Sequence, residues 1–232
     1  MRAIWFITAL VLLAVASPAR SQSTSSTPAA FDTTNFAEEI AEFATADRLH
    51  FPRPGGVVFV GSSSIRMWPH LAADFPGVNV IQRGFGGSEL SDVVYRAPRI
   101  VIPYKPALVI LYAGDNDLAN GRSPQDVLSR FKSFVGLVHG ALPRTRIAFV
   151  SIKPSLARVS LLGQMKDANA LVRKYIDGRP GLTYVDVFTP MLTATGQPRP
   201  ELLAADSLHM NAAGYSLWRR RLSPLVTPLR HR

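Results

Sequence analysis

The 232-residue sequence contains no cysteine. The chain therefore has no disulfide bonds, no thiolate metal site and no cysteine that would carry a lipid after an export signal. Its longest apolar run, residues 3–16, is shorter than the roughly 20 residues that a transmembrane helix needs. The overall composition, 47% hydrophobic and 18% charged, is typical of a globular protein rather than a disordered or fibrous one.

Acidic residues are also scarce. The chain has 16 Asp and Glu against 26 Lys and Arg, which gives a formal net charge of +10 and a pI near 10.5. The basic residues are scattered, apart from Arg219, Arg220 and Arg221 on a predicted amphipathic helix. Neither zinc-finger spacing nor an aromatic and basic RNA motif accompanies that cluster. We therefore expect a solvated helix face and no nucleic-acid partner, with a charge that favours anionic surfaces or substrates.

The N-terminus has the pattern of a secretory signal. Met1 and Arg2 precede the apolar run, and small residues with cleavage points after Ala16 or Ala19 follow it. We predict a signal peptide over residues 1–19, a flexible leader over 20–35 and one domain over 36–232. The protein should then be periplasmic or secreted, with no stable membrane insertion after signal cleavage. An uncleaved N-terminal anchor is the alternative.

Beyond the leader, strand-like and helix-like segments alternate. An α/β fold is predicted: a three-layer α/β/α sandwich with a five-stranded parallel sheet. The predicted strands are Val57–Val60, Val78–Gln82, Ala107–Ala113, Arg146–Ile152 and Thr183–Phe188. The predicted helices are Phe36–Leu49, Ile65–Phe75, Leu90–Ile102, Pro124–Leu142, Gln164–Ile176 and Ala212–Val226. Ligands of such sheets bind beyond the carboxyl ends of the strands, so the residues that follow each strand are the candidates for chemistry.

Three consecutive serines, Ser62 to Ser64, follow Gly61 at the end of the first strand. Serine favours helix N-caps, a role that Ser64 can fill. A serine at a helix N-terminus also lies near free backbone N–H groups that stabilise an oxyanion, as a nucleophile requires. The G-x-S-x-G elbow of other hydrolases is absent, because Ile65 stands at the position of its second glycine.

The glycine-rich segment 84–88 follows the second strand. It is not a dinucleotide fingerprint, because Glu89 stands where that motif needs a glycine and the segment does not follow the first strand. A tight turn is one interpretation. The other is a backbone N–H, such as that of Gly87, brought close to a ligand.

Polar residues 115–117 follow the third strand. They suit an Asx turn or a helix cap, and the amide of Asn116 is also a candidate oxyanion donor. A calcium loop is excluded, because Ala119 and Asn120 occupy the positions that need an oxygen ligand and a glycine.

Asp206 and His209 precede the last predicted helix. An aspartate three residues before a histidine can hold its Nδ1–H and leave Nε2 free as a base. No second histidine or carboxylate nearby has ligand spacing, so we expect no metal site. The other histidines have no such acid partner: His50, His70, His139 and His231.

These four segments, in this order, resemble the blocks of the SGNH hydrolases, also called the GDSL esterase and lipase family. The resemblance runs over residues 57–225. It implies a flavodoxin-like fold, a nucleophile at Ser63 and a base and acid at His209 and Asp206. It also implies an oxyanion hole built from the Ser63 and Gly87 N–H groups and the Asn116 amide.

One departure from the family pattern concerns the nucleophile. Ser62 replaces the aspartate of the G-D-S-L signature, although that aspartate is not one of the four catalytic roles. Ser63 is favoured as nucleophile by its offset from Gly61, and Ser62 and Ser64 stay as alternatives.

The expected activity is hydrolysis of a small-molecule carboxylic ester, without a cofactor, on a lysophospholipid or a short-chain ester. An O-acetyl esterase acting on carbohydrate or peptidoglycan is the alternative. A non-catalytic binding protein on the same fold is a more distant one. Lys153 and Arg158, after the fourth strand, are expected to face an anionic group.

Overall fold

The computed structural model describes Met1 and residues 35–230. The predicted signal peptide and leader lie outside this range, apart from their first and last residues. The centre of the fold is a sheet of five parallel strands in the order β2-β1-β3-β4-β5. The strands are β1 Val57–Gly61, β2 Val80–Gly84, β3 Leu108–Tyr112, β4 Arg146–Val150 and β5 Leu182–Val185.

Helices cover both faces of the sheet, which confirms the predicted three-layer α/β/α sandwich. One core lies between the sheet and the helices over residues 37–49, 90–100, 124–141 and 162–176, and the other between the sheet and the helices over residues 63–66, 71–74 and 212–226. Over the described residues, no helix is long and apolar enough to cross a membrane. The α-helices are α1 Ala37–Leu49, α2 Ser63–Arg66, α3 Leu71–Asp74, α4 Leu90–Ile100, α5 Asp115–Ala119, α6 Pro124–Ala141, α7 Leu162–Ile176 and α8 Ala212–Val226. Short 3₁₀ turns span Ile102–Tyr104, Leu156–Leu161, Thr189–Met191, Pro200–Leu202 and Thr227–Leu229.

The apolar sequence of β1 explains its central position. Successive side chains of a strand point to opposite faces, so a strand that is covered on both sides must be apolar throughout. Val58 and Val60 pack into the first core, whereas Val57 and Phe59 pack into the second, and all four are fully buried.

The second core is rich in aromatic side chains that fasten the short helix α2 and the last helix α8 to the sheet. The Trp68 ring, just after α2, lies 6.1 Å from the Trp218 ring of α8 between centroids. Trp218 in turn lies 4.8 Å from the ring of Tyr112 at the end of β3. Both tryptophans are almost fully buried, so their large apolar surfaces pack α8 and the residues after α2 against the sheet.

Two parts of the predicted helix pattern are wrong. The predicted helix Ile65–Phe75 is two short helices, α2 and α3. Pro69 lies between them, and a proline lacks an N–H and disfavours helical geometry at the residue before it. Helix α5 was predicted only as a turn or cap. It begins directly after Gly114, whose φ of 117° bends the chain sharply at the end of β3.

Close backbone packing at the strand ends positions the candidate site. Gly61 pairs with Gly84 of β2 and with Tyr112 of β3. Gly61 has a φ of 137°, and a Cβ there would lie 1.7 Å from the Tyr112 carbonyl oxygen. A Cβ on Gly84 would lie 2.3 Å from the Arg66 backbone nitrogen of α2. Glycine is therefore required at both positions, and it allows the three strand ends and α2 to meet.

Candidate active site

The structure brings the side chains of Ser63, His209 and Asp206 into one hydrogen-bonded row. Ser63 is the first residue of α2, and its Oγ lies 2.9 Å from His209 Nε2. On the other side of the ring, His209 Nδ1 lies 2.6 Å from Asp206 Oδ2. The carboxylate favours the tautomer that carries its proton on Nδ1, which leaves the Nε2 lone pair facing the serine hydroxyl.

The three neighbouring serines occupy different environments. Ser62 is the N-cap of α2, although its side chain makes no capping hydrogen bond, and Ser64 lies inside the first turn. The prediction of Ser64 as the cap is therefore wrong, because α2 begins at Ser63. The Ser62 and Ser64 hydroxyls are buried and make no hydrogen bond to His209. Ser63 is the half-buried serine of the three.

The loop that carries the acid and the histidine is folded around the carboxylate. Asp206 Oδ1 accepts hydrogen bonds from the backbone N–H groups of Leu208 and His209, each at 2.9 Å. The hydrogen bond from the His209 ring, followed by those two N–H bonds, holds the pKa of Asp206 well below its usual range. Ser207 adopts the left-handed conformation, with a φ of 59°, to make this tight turn.

Gly87 and Asn116 follow the ends of β2 and β3, the two neighbours of β1, and a hydrogen bond links Asn116 to Ser88, the residue after Gly87. Asn116 is buried, and its Nδ2 donates to the carbonyl oxygen of Ser88 at 3.0 Å. Gly87, one residue earlier, is exposed and has a φ of 79°, while a Cβ there would meet no atom within 4 Å. Glycine is therefore favoured at this position by the positive φ of the backbone and not by steric crowding around its Cα.

Both aspartates that flank Asn116 pair with arginines. Asp115 Oδ2 lies 3.1 Å from Arg158 Nη1, and Asp117 Oδ1 lies 2.6 Å from Arg130 Nη1. Burial raises the pKa of Asp117 to about 6, even though Arg130 opposes that shift. Among the described residues, no group of three His, Asp or Glu side chains is arranged to hold a metal ion.

The segment after β4 was predicted to offer Lys153 and Arg158 to an anionic group, and for Lys153 this is wrong. Its side chain is 1% exposed, and its Nζ donates to the Leu208 carbonyl oxygen at 2.6 Å. Burial lowers the pKa of this amine. Ala157 N–H also donates to the Ser207 carbonyl at 3.0 Å, so this segment supports the loop that carries His209.

Arg158 also differs from its expected role. Its Nη2 donates to Asn116 Oδ1 at 2.8 Å, while its Nη1 faces Asp115. The contacts of Arg158 with Asp115 and Asn116 could not be predicted from the sequence, because these residues lie far apart in the chain. The position of Arg158 after a predicted strand was the available indication of a role near the site.

Comparison with known proteins identifies the family. A serine, a histidine and an aspartate in a hydrogen-bonded row are an arrangement that occurs in serine hydrolases. Residues 55–217, more than half of the chain, match the GDSL-like lipase/acylhydrolase family. The chain belongs to this family and is an ester-hydrolysing enzyme. No curated protein matches the chain in sequence.

Solved structures with the same fold come from several bacteria. A GDSL-like lipase from Bacteroides thetaiotaomicron superposes with a TM-score of 0.72 at 20% identity, covering 82% of this chain and 97% of that one. A protein from Streptococcus pneumonia, provisionally named as a platelet activating factor, gives 0.73 at 18% identity, with 82% and 92% covered. An acetylxylan esterase from Geobacillus stearothermophilus gives 0.61 at 15% identity, with 74% and 94% covered. At these identities the similarity shows the shared fold.

Proposed function

We propose that the protein is a serine esterase in which Ser63 is the nucleophile, His209 the general base and Asp206 the orienting acid. The observation that carries this proposal is the row Ser63 Oγ, His209 Nε2, His209 Nδ1 and Asp206 Oδ2, with separations of 2.9 and 2.6 Å. The first distance is that of a hydrogen bond through which Ser63 can pass its proton to His209, and the second is that of a hydrogen bond through which Asp206 orients the imidazole.

The reaction has two steps. In the first, His209 takes the proton of Ser63 as its Oγ attacks the ester carbonyl, and the tetrahedral intermediate then expels the alcohol, which receives that proton from His209. In the second, a water molecule gives a proton to His209 and attacks the acyl-enzyme. The collapse of this intermediate releases the acid and returns the proton to Ser63.

The negative oxygen of each tetrahedral intermediate needs hydrogen-bond donors that are already in place. We assign this role to the backbone N–H groups of Ser63 and Gly87 and to the Nδ2 amide of Asn116. Ser63 begins a helix, where the first N–H groups have no intrahelical partner. The Asn116 amide has two N–H donors, and one of them donates a hydrogen bond to the Ser88 carbonyl oxygen.

The charge of Asp206 supports the role of His209. Because the pKa of Asp206 is held well below its usual range, this carboxylate keeps its negative charge at neutral pH. An ionised carboxylate on Nδ1 stabilises the imidazolium that forms when His209 accepts a proton.

Replacement of the nucleophile tests the proposal directly. Ser63→Ala should lower kcat for a nitrophenyl ester by at least about 10⁴-fold, because no hydroxyl remains to form the acyl-enzyme. Ser62→Ala and Ser64→Ala are the matched controls and should keep most of the activity. Unchanged hydrolysis by Ser63→Ala, or equal losses in all three variants, would refute the assignment.

For the substrate, we propose a short-chain ester or a lysophospholipid. Helices α2 and α5 begin within three residues of β1 and β3, so no inserted lid covers the site at these strand ends. Leu156 and Val159 are exposed on the 3₁₀ turn that carries Arg158 and offer apolar contact. A carbohydrate O-acetyl ester is the second candidate, because one protein with the same fold is an acetylxylan esterase.

A series of nitrophenyl esters from acetate to dodecanoate separates these substrates. We expect the highest kcat/KM for acetate to butyrate, because a long acyl chain gains little without apolar cover. Release of acetate from acetylated xylan would then favour the carbohydrate ester. A preference for long-chain esters, together with release of fatty acid from lysophosphatidylcholine, would instead favour the lysophospholipid. A preference for dodecanoate would contradict the short-chain proposal.

We also propose that the protein is exported. The support is the basic start, the apolar run over residues 3–16 and the small residues at Ala16 and Ala19. N-terminal sequencing of the protein expressed in a bacterial host should show a start at Ser17 or Arg20 in the periplasmic or secreted fraction. Recovery of the protein with an intact Met1 in the cytoplasm would contradict export.

A further inference from the structure

We propose that Arg158 is a positioning residue that fixes and polarises the amide of Asn116 for oxyanion binding. This inference rests on the proposed function, because it assigns Arg158 a role through the oxyanion donor named above. The contact that carries it is the hydrogen bond from Arg158 Nη2 to Asn116 Oδ1, at 2.8 Å in a partly buried setting.

The orientation of the Asn116 amide is determined by its two partners. Its Oδ1 accepts from the guanidinium of Arg158, and its Nδ2 donates to the Ser88 carbonyl. A flipped amide would place its NH₂ group against the guanidinium and its oxygen against the Ser88 carbonyl. Donor would then face donor and acceptor would face acceptor in a buried site, an arrangement that leaves polar groups unsatisfied. The observed orientation therefore leaves one Nδ2 proton for an oxyanion.

Arg158 is itself held by the residue before Asn116. Its Nη1 lies 3.1 Å from Asp115 Oδ2, and the side chains of Arg158 and Asp115 are only 18% and 5% exposed. The planar guanidinium thus contacts two consecutive residues of α5 with two of its nitrogens. A planar guanidinium with several fixed N–H directions can contact both side chains at once, whereas a lysine ammonium offers a single point charge.

The backbone around Arg158 also directs it toward α5. Arg158 departs from helical geometry inside the 3₁₀ turn, with φ −126° and ψ 31°. Its N–H donates to the Ser155 carbonyl, and the preceding Ala157 N–H donates to Ser207 in the histidine loop. Residues 155–158 are therefore hydrogen-bonded to the loop that carries His209, while the Arg158 side chain contacts the proposed oxyanion donor Asn116.

The positive charge gives Arg158 a second effect on the same amide. A cation on the carbonyl oxygen of an amide withdraws electron density and strengthens its N–H groups as donors, as in hydrogen-bond chains that polarise one another. The gain is largest when a full negative charge develops on the substrate oxygen. Loss of Arg158 should therefore weaken transition-state stabilisation more than substrate binding.

A role in direct substrate binding is the competing interpretation. Arg158 Nη2 donates to Asn116, and Arg158 Nη1 is buried beside the Asp115 carboxylate, 3.1 Å from its Oδ2. An arginine that captured an anionic substrate would need free donors directed at solvent. The geometry points to a positioning role, and the steady-state constants distinguish the two.

The test is a double-mutant cycle on Arg158 and Asn116. With nitrophenyl acetate, Arg158→Met should lower kcat about 10- to 100-fold and leave KM within about twofold. Asn116→Ala should lower kcat about 100- to 1,000-fold. The double variant should be no slower than Asn116→Ala within about twofold, because Arg158 then has no amide to position. Arg158→Lys should keep more activity than Arg158→Met, since it retains one donor for Asn116 Oδ1.

Arg199→Met is the matched control, because Arg199 also pairs with a carboxylate, Glu201, but lies outside the site. It should keep its activity. If Arg158→Met fails to fold, as judged by thermal unfolding, the cycle is run with Arg158→Lys. Multiplicative losses in the double variant would overturn the inference, as would a raised KM with unchanged kcat. Full activity of Asn116→Ala would instead overturn the proposed oxyanion hole, so the two failures are distinguishable.

Discussion

The contact on which the rest of the site depends is the close approach of three strand ends at Gly61. Its paired positions are Gly84 in β2 and Tyr112 in β3, and a Cβ at Gly61 would lie 1.7 Å from the Tyr112 carbonyl oxygen. This packing places the first turn of α2, the turn of Gly87 and the start of α5 at one edge of the sheet. The aromatic core around Trp68 and Trp218 then holds α2 and α8 against the sheet.

The segment between β4 and α7 contributes a second layer of contacts beneath these residues. Lys153 and Ala157 donate to the carbonyl groups of Leu208 and Ser207, and Arg158 donates to Asn116. One short stretch of chain therefore supports the loop of the proposed base and the proposed oxyanion donor. Small displacements of either would misalign hydrogen bonds on which such chemistry depends.

Much of the architecture could be predicted because the signals are local. Apolar runs such as that of β3 specify central parallel strands, and the residues after them are known once the strands are placed. The same rule selected Ser63, Gly87 and Asn116 as candidates, and the structure joins Ser63 to His209 and Asp206 by hydrogen bonds. The closing helix, predicted as Ala212–Val226, has those bounds, because the Asn211 side chain caps its first turn.

The features that could not be predicted depend on contacts between distant residues. The burial of Lys153 follows from a carbonyl acceptor 55 positions away, and the pairing of Arg158 with Asn116 spans 42 positions. No periodicity or spacing carries that information. Helix α5 was missed for a related reason: its acidic residues are typical of a turn, but Arg130 and Arg158 neutralise them in the folded chain.

The most direct test of the central claim is covalent labelling of the nucleophile. A fluorophosphonate reacts with an activated serine, loses fluoride and leaves a phosphonate ester on the attacking oxygen. Mass spectrometry with fragmentation of the labelled peptide distinguishes Ser62, Ser63 and Ser64. A single adduct on Ser63 is expected. An adduct on Ser62 or Ser64, or an unlabelled protein that still hydrolyses esters, would contradict that claim.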